Sequence, residues 1–202
     1  MRSSRLQARR LKLLTASLKI FASKGFHQTV VGDIAEASKI GHATFYGYFS
    51  SKTTIFQALV EHIYSRILDV LTEDSFDRSQ TLEDYRAQLS RIGDRLFELF
   101  RLEPELAQIV FYESWAAGGE IAKLSEQVFE ALVSVTQGYL DNGVAQGYLK
   151  GDFDTKTAAR AINMMLFESI KSVLRSDKPE IEYASWKKLI PLMIIEGLAH
   201  KT

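Results

Sequence analysis

Residues 25–52, GFHQTVVGDIAEASKIGHATFYGYFSSK, decide how this chain is read. Apolar Ile34, Ala35, Ile40, Phe45 and Phe49 recur at helical spacing on either side of a polar break, Ser38 to Gly41. The pattern predicts one short helix over about 30–37 and another over about 42–48, joined by a tight turn. Small Ala35 lets the two approach closely, and Phe45 and Phe49, one turn apart, supply inner contacts. His42, Ala43, Thr44, Tyr46 and Tyr48 are then left for the outer face of the second helix. The two tyrosines diverge, because two residues turn a helix by about 200°. Such groups donate to phosphate oxygens or touch base edges, as a helix braced for the major groove of duplex DNA must.

Working outward, Leu11, Leu14, Leu18 and Phe21 mark a preceding helix over about 4–24 that stops at Gly25. Continuity of that apolar pattern sets aside a transit peptide, which the Arg- and Ser-rich, acid-free first 32 residues resemble. Thr29 is placed to cap the helix over 30–37, and Ser50 or Ser51 to cap a long fourth helix over about 51–74. Ile55, Phe56, Leu59, Ile63, Ile67 and Leu71 give that fourth helix one apolar face. Further helices follow over roughly 82–102, 104–117, 120–147, 155–175 and 181–200, with Pro104 at a helix start. No alternating strand pattern flanked by hairpin turns is found, so the fold class is all-α, with about nine helices.

Net charge is zero over 202 residues, but it is unevenly placed. Residues 1–52 carry nine Lys and Arg against Asp33 and Glu36, a net of +7, so the remainder carries −7. A cationic head on an anionic body points to a polyanion partner for the head alone. Arg2, Arg5, Arg9 and Arg10 are candidates for a basic arm.

The pattern GF..T....IA......I...TFY.YF.SK, read on these residues, resembles the amino-terminal domain of the TetR family of bacterial transcriptional regulators. The motif covers about 28 residues, and the helical layout extends the likeness over the chain. The resemblance implies a helix-turn-helix domain over 1–52 and a ligand-binding and dimerisation domain over 53–202, with the helix over 51–74 as link. It implies that Thr29 caps the second helix and meets phosphate, that Thr44 and Tyr46 meet backbone or base, that Tyr48 faces the backbone, and that Lys52 pairs with a phosphate. The chain departs from the family at several of these places. Lys39 and Gly41 stand where glycine and serine are frequent in the turn, and His42 and Ala43 replace the frequent pair that opens the reading helix. Gly32 stands where a basic base-contacting residue is common, and Gly47 costs the reading helix roughly 1 kcal/mol of propensity. These departures bear on operator sequence rather than on binding mode.

One short helix contacts few base pairs, so a twofold dimer is expected to double the contacts and fix half-site spacing. Ile162, Met165, Leu166, Ser169, Ile170 and Val173 form an apolar stripe on the helix over 155–175. The final helix, with Leu189 and Met193 among its apolar residues, is apolar nearly all round and has to be covered on two sides. The resemblance assigns these two helices to a four-helix homodimer interface.

It also implies a cavity for a small effector, with apolar walls and a few polar groups. Aromatic Phe97, Tyr112, Trp115 and Phe167 are candidates for its walls. Glu113 and Glu168 stand in otherwise apolar segments, where a carboxylate is costly unless paired; each either meets a ligand, sits at a solvated edge, or pairs with Arg101 or Lys171. His62, Arg101 and Asn163 complete the candidate list for the ligand.

There is no cysteine, Gly-rich phosphate loop, GxSxG elbow or HExxH, and the four histidines are scattered, so neither enzyme, metal site nor cofactor is expected. No apolar run of 18 residues appears, and a cytoplasmic protein without membrane contact is expected. The leading expectation is a repressor on a palindromic DNA operator, released by a small apolar effector. The alternative is a helical protein that binds DNA without sequence preference or effector control.

Overall fold

Nine α-helices in chain order make up residues 2–199, the part of the protein that the computed structural model describes, with side chains from Leu6 onward. The side chains of Arg2 and Arg5, in the expected basic arm, lie outside the described residues. The helices are α1 (Arg2–Lys24), α2 (Val31–Ala37), α3 (His42–Tyr46), α4 (Lys52–Thr72), α5 (Leu82–Leu102), α6, α7 (Gly119–Ala145), α8 (Thr155–Arg175) and α9 (Pro179–Leu198). α6 runs through three consecutive segments: an α turn over Pro104–Gln108, a π turn over Ile109–Glu113 and a closing α turn over Ser114–Ala116. Strands are absent among the described residues; one isolated bridge pairs Leu149 with Ala199. The all-α expectation holds.

Two compact units divide the chain: Met1–Ser65 with Pro104–Glu126, and Arg66–Glu103 with Gln127–Thr202. The first unit thus takes in, beyond the head over 1–52, the beginning of α4 and all of α6.

In the first unit, α1 ends at Gly25, whose φ of +79° is the left-handed conformation that glycine adopts without strain. Leu13, Leu14, Leu18 and Phe21 are its buried face; Leu11, expected there, is 49% exposed. Phe21 and Phe26 both pack on Phe56 of α4, with ring centroids 4.6 and 4.8 Å apart. Phe45 and Phe49 are buried as the sequence predicts, as are Ile34 and Ala35. Each fully buried side chain of this size is worth about 1.5–3 kcal/mol, so the head is held mainly by this aromatic cluster. α4 opens on a reciprocal cap: the Thr54 amide donates to Ser51 Oγ at 3.1 Å, and the Ser51 amide to Thr54 Oγ1 at 2.8 Å. Further along α4, burial pushes the Tyr64 phenol up to about 12.

In the second unit, α9 is fixed on α5 by mixed contacts. Tyr183 stacks on Phe97 with centroids 3.8 Å apart, its hydroxyl donates to Asp94 at 2.6 Å, and Lys187 pairs with the same carboxylate at 2.6 Å. Asp74, just after α4, is buried between Arg91 at 2.8 Å and Arg78 at 3.0 Å. The Arg91 guanidinium beside it holds its carboxyl below the usual carboxylate range. Ile162, Ser169 and Val173 of α8 are buried within their own unit, together with Ile190, Ile194 and Ile195 of α9. For these three residues of the expected dimer stripe the apolar spacing marks the face turned to the chain's own core. Met165, Leu166 and Ile170 are half-buried. Exposed instead are Met164 and Leu174 of α8 and Ile181, Leu189, Leu192 and Met193 of α9, the last two 47% and 52% exposed.

Candidate nucleic-acid interface

α2 and α3 are set against each other by a four-residue break, Ser38 to Gly41, with unusual backbone. Lys39 sits at φ +56°, and Ile40 then donates its amide to the Ala35 carbonyl at 3.0 Å. A left-handed residue is what glycine supplies most readily, so Lys39 carries strain that the turn tolerates. α3 begins at His42 and ends at Tyr46, shorter than the sequence predicts. Gly47 therefore caps the helix instead of interrupting it: its amide donates to Ala43 and Thr44, and an added Cβ would lie 3.3 Å from the Thr44 carbonyl oxygen.

With Phe45 buried, Gly41, His42, Ala43, Thr44 and Tyr46 are all exposed, and Tyr48 is half-buried. Tyr46 is 54% exposed and meets the Phe45 ring edge-on at 5.5 Å. A second feature is visible only in three dimensions. Gly32 of α2 faces the His42 ring, so that a Cβ built on Gly32 would stand 3.5 Å from Nε2 and 3.7 Å from Cε1.

Two residues expected at DNA are engaged elsewhere. Thr29 is fully buried and its hydroxyl donates to the Gly25 carbonyl at 2.7 Å, so it neither caps α2 nor reaches a phosphate. Val30 is the cap residue of α2, and Asp33 accepts its amide at 2.9 Å. Asp33 also pairs with Lys24 at 2.6 Å; that hydrogen bond, with the Val30 amide, keeps its carboxyl below the ordinary range. Lys52 lies 4.6 Å from the centroid of the Phe26 ring and donates to the carbonyls of Phe26 at 2.8 Å and His27 at 3.2 Å. Its ammonium is fixed inside the head, which corrects its assignment to phosphate.

The same loop is held from its other side by α6. Glu113 accepts the Phe26 amide through Oε2 at 2.9 Å and a Gln108 amide hydrogen through Oε1 at 3.2 Å. His27, in the tautomer protonated on Nε2, donates to the Ala116 carbonyl at 3.1 Å. Residues 26 and 27 are thereby gripped by α4 and α6 at once. Within its unit Glu113 acts as a structural latch on the loop at Phe26. The partners lie 87 residues apart, so no local spacing signals them. What made Glu113 visible was its carboxylate in an apolar segment.

The remaining ligand candidates are distributed rather than gathered within either unit. In the first unit, His62 lines an open groove of about 410 Å³ between α1 and α4, together with Arg10, Leu11 and Glu61. Tyr112 and Trp115 are 40% and 44% exposed. In the second unit, Phe97 stacks on Tyr183, Phe167 meets Phe129 edge-on at 5.4 Å, and Arg101 pairs with Glu98 at 2.7 Å. Asn163 is buried and donates to Thr136 Oγ1 and the Ala159 carbonyl, both at 2.9 Å. Glu168 pairs with Lys171, as one reading of the sequence had it, and with Arg175.

Residues 13–59 match the model of the family described as "Bacterial regulatory proteins, tetR family". The fatty acid metabolism regulator protein of Bacillus subtilis is 19% identical over 191 residues, 95% of this chain and 96% of that one. The HTH-type transcriptional repressor KstR2 of Mycobacterium tuberculosis is 26% identical over 178 residues, 84% of this chain and 83% of that one. Among solved structures, the transcriptional regulator FadR from Bacillus subtilis in complex with stearoyl-CoA has the same fold. Its TM-score is 0.79 at 19% identity, with 93% of this chain and 98% of that chain covered.

Proposed function

Since this chain belongs to the TetR family of bacterial regulatory proteins, we propose that it acts as a homodimeric repressor, seated on a two-fold operator through α3 and released by a small effector with an apolar part. It is a DNA-binding transcriptional regulator. The observation that carries the finer reading is the outer face of α3. Five turn and helix positions, Gly41 to Thr44 and Tyr46, are exposed around a buried Phe45 on a head of net charge +7. A helix of that kind gains phosphate contacts for affinity and base-edge contacts for choice of site.

Dimerisation is supported by the apolar face that α8 and α9 leave exposed, with Met164, Leu174, Leu189, Leu192 and Met193. Large apolar side chains left exposed on a helix, as Leu189, Leu192 and Met193 are on α9, mark an interaction surface. A symmetric pair doubles the base pairs contacted and fixes the half-site spacing. The effector acts only by preferring the state that does not bind DNA; equal affinity for both states shifts nothing. Stearoyl-CoA, present in the Bacillus subtilis FadR structure, makes long-chain acyl thioesters the first class to try. The reading contains no catalysis, and the site of action is the cytoplasm, where the duplex is. No helix among the described residues is long and apolar enough to cross a membrane.

Genomic fragments captured on the purified protein at physiological salt test the proposal. They should share an inverted repeat, bound at least about 1,000-fold more tightly than random duplex. Addition of an acyl thioester should then release them. Fragments with no common sequence, competed equally by random DNA, would establish the alternative of a DNA-binding protein without sequence preference.

A further inference from the structure

Two positions that look like separate losses in the sequence are a single feature in the folded head. Gly32 presents no side chain toward the groove, and His42 opens the reading helix in place of the more frequent residues. In the structure the imidazole is the group nearest to where a Cβ on Gly32 would be, at ordinary contact distance: 3.5 Å from Nε2 and 3.7 Å from Cε1. The next nearest atom to that point is Cγ2 of Val30, at 3.9 Å. Any side chain at position 32 longer than a methyl group would need the space the ring occupies. His42 itself is exposed, so its ring is open to a partner.

We infer that Gly32 and His42 form one specificity unit, in which the glycine makes room for an imidazole that reads a single purine in each operator half-site. The inference rests on the proposed operator binding and deepens it. The chemistry selects the base type. Protonated on Nε2, the ring offers that N–H to the N7 or O6 acceptors on the major-groove edge of a purine. Pyrimidines present at the same edge an amino donor on cytosine, or a carbonyl and methyl group on thymine, displaced from the purine N7 position. One neutral hydrogen bond gives about five- to tenfold preference, less than a bidentate arginine would.

The test is selection from a randomised duplex library with the full-length protein and four variants. The wild type should enrich an inverted repeat containing one purine per half-site that His42→Ala relaxes about five- to tenfold, leaving other positions unchanged. Gly32→Ala should keep the preference, because its methyl group fits at ordinary contact distance. Gly32→Leu should lose it at that same position by displacing the ring. Gly32→Leu combined with His42→Ala should match His42→Ala alone, the non-additivity of two residues acting as one. Thermal unfolding of each variant checks that the head is folded, and an unfolded Gly32→Leu leaves His42→Ala and Gly32→Ala to decide.

If the wild type enriches no repeat, the operator reading itself is wrong. If it enriches one and His42→Ala weakens every position equally, or relaxes a pyrimidine, the specificity unit is refuted. Gly32→Leu folding with its base preference intact refutes it too.

Discussion

Lys52 and Glu113 on one side, and the apolar side chains along α8 and α9 on the other, invert what their chemistry suggests. The two charged groups look available for a phosphate and a ligand, yet both are occupied inside the first unit, gripping Phe26 and His27. The apolar residues look like core, yet Leu189, Leu192 and Met193 stay exposed after their own chain has folded. Physical cost explains the inversion. A loop amide or carbonyl shut away from water needs a partner, and a long charged side chain supplies one from a distance. A methionine on a helix surface needs no partner to persist, and covering it waits for a second molecule.

The largest expected effect attacks the exposed side of this contrast. Leu192→Glu with Met193→Glu should turn the proposed dimer into folded monomers in sedimentation, and weaken operator binding about 100-fold or more, since the second half-site would no longer be tethered to the first. Ile162→Ala, on the buried stripe of α8, should instead lower stability by about 2–5 kcal/mol without dissociating the subunits at equal concentration. Persistence of the dimer in the glutamate variant would move the interface elsewhere.

Next in size is the latch. Glu113→Ala leaves the Phe26 amide without its acceptor, at a cost of about 1–3 kcal/mol, and opens space beside Gly25. Amide exchange at Phe26 should speed up, and all operators should weaken alike because the head is looser but its reading face is unchanged. Unaltered exchange at Phe26 would show that the carboxylate holds nothing. Lys52→Met keeps the stem over Phe26 and removes two hydrogen bonds, costing about 1 kcal/mol. The sequence alone predicts that losing this lysine lowers the salt slope of DNA binding by about one. The geometry predicts an unchanged slope, and a titration of affinity against salt decides between them.

Much of the fold was legible because it is periodic. The α4 residues from Ile55 to Leu71 named in advance are all buried, and Phe45 and Phe49 close the helix-turn-helix as their spacing requires. Gly25 ends α1 for a backbone reason any sequence reader can state. Long-range pairing escaped, because no periodicity encodes it. Lys52 sits at a helix start near a DNA-reading segment, and its true acceptors, 26 and 25 residues back, are backbone carbonyls with no side-chain signature. Thr29 was misplaced by one residue of helix register, which moved a hydroxyl from the cap to the buried turn below it. On α8 the apolar spacing did not separate Ile162, Ser169 and Val173, which are buried in the monomer, from Met165, Leu166 and Ile170, which are half-buried, because periodicity names a face and not what covers it. The ligand candidates were chosen by residue type. Phe97, Asn163 and Phe167 each meet a protein partner within their own unit, which residue type alone does not reveal.

Lys39 gives the smallest and most local test of the contrast, since here a charged residue serves neither loop nor ligand. It is the one described non-glycine residue with positive φ, and its exposed side chain does nothing to offset that strain. Placing an L-residue in the left-handed region costs about 1–2 kcal/mol, partly returned because glycine is more flexible in the unfolded chain. Lys39→Gly should therefore stabilise the first unit by about 0.5–1 kcal/mol in denaturant unfolding. The fixed +7 of the head falls to +6, so non-specific DNA affinity should drop slightly while the preferred operator sequence stays the same. A changed operator preference would mean that the turn, and not the outer face of α3 alone, takes part in reading bases.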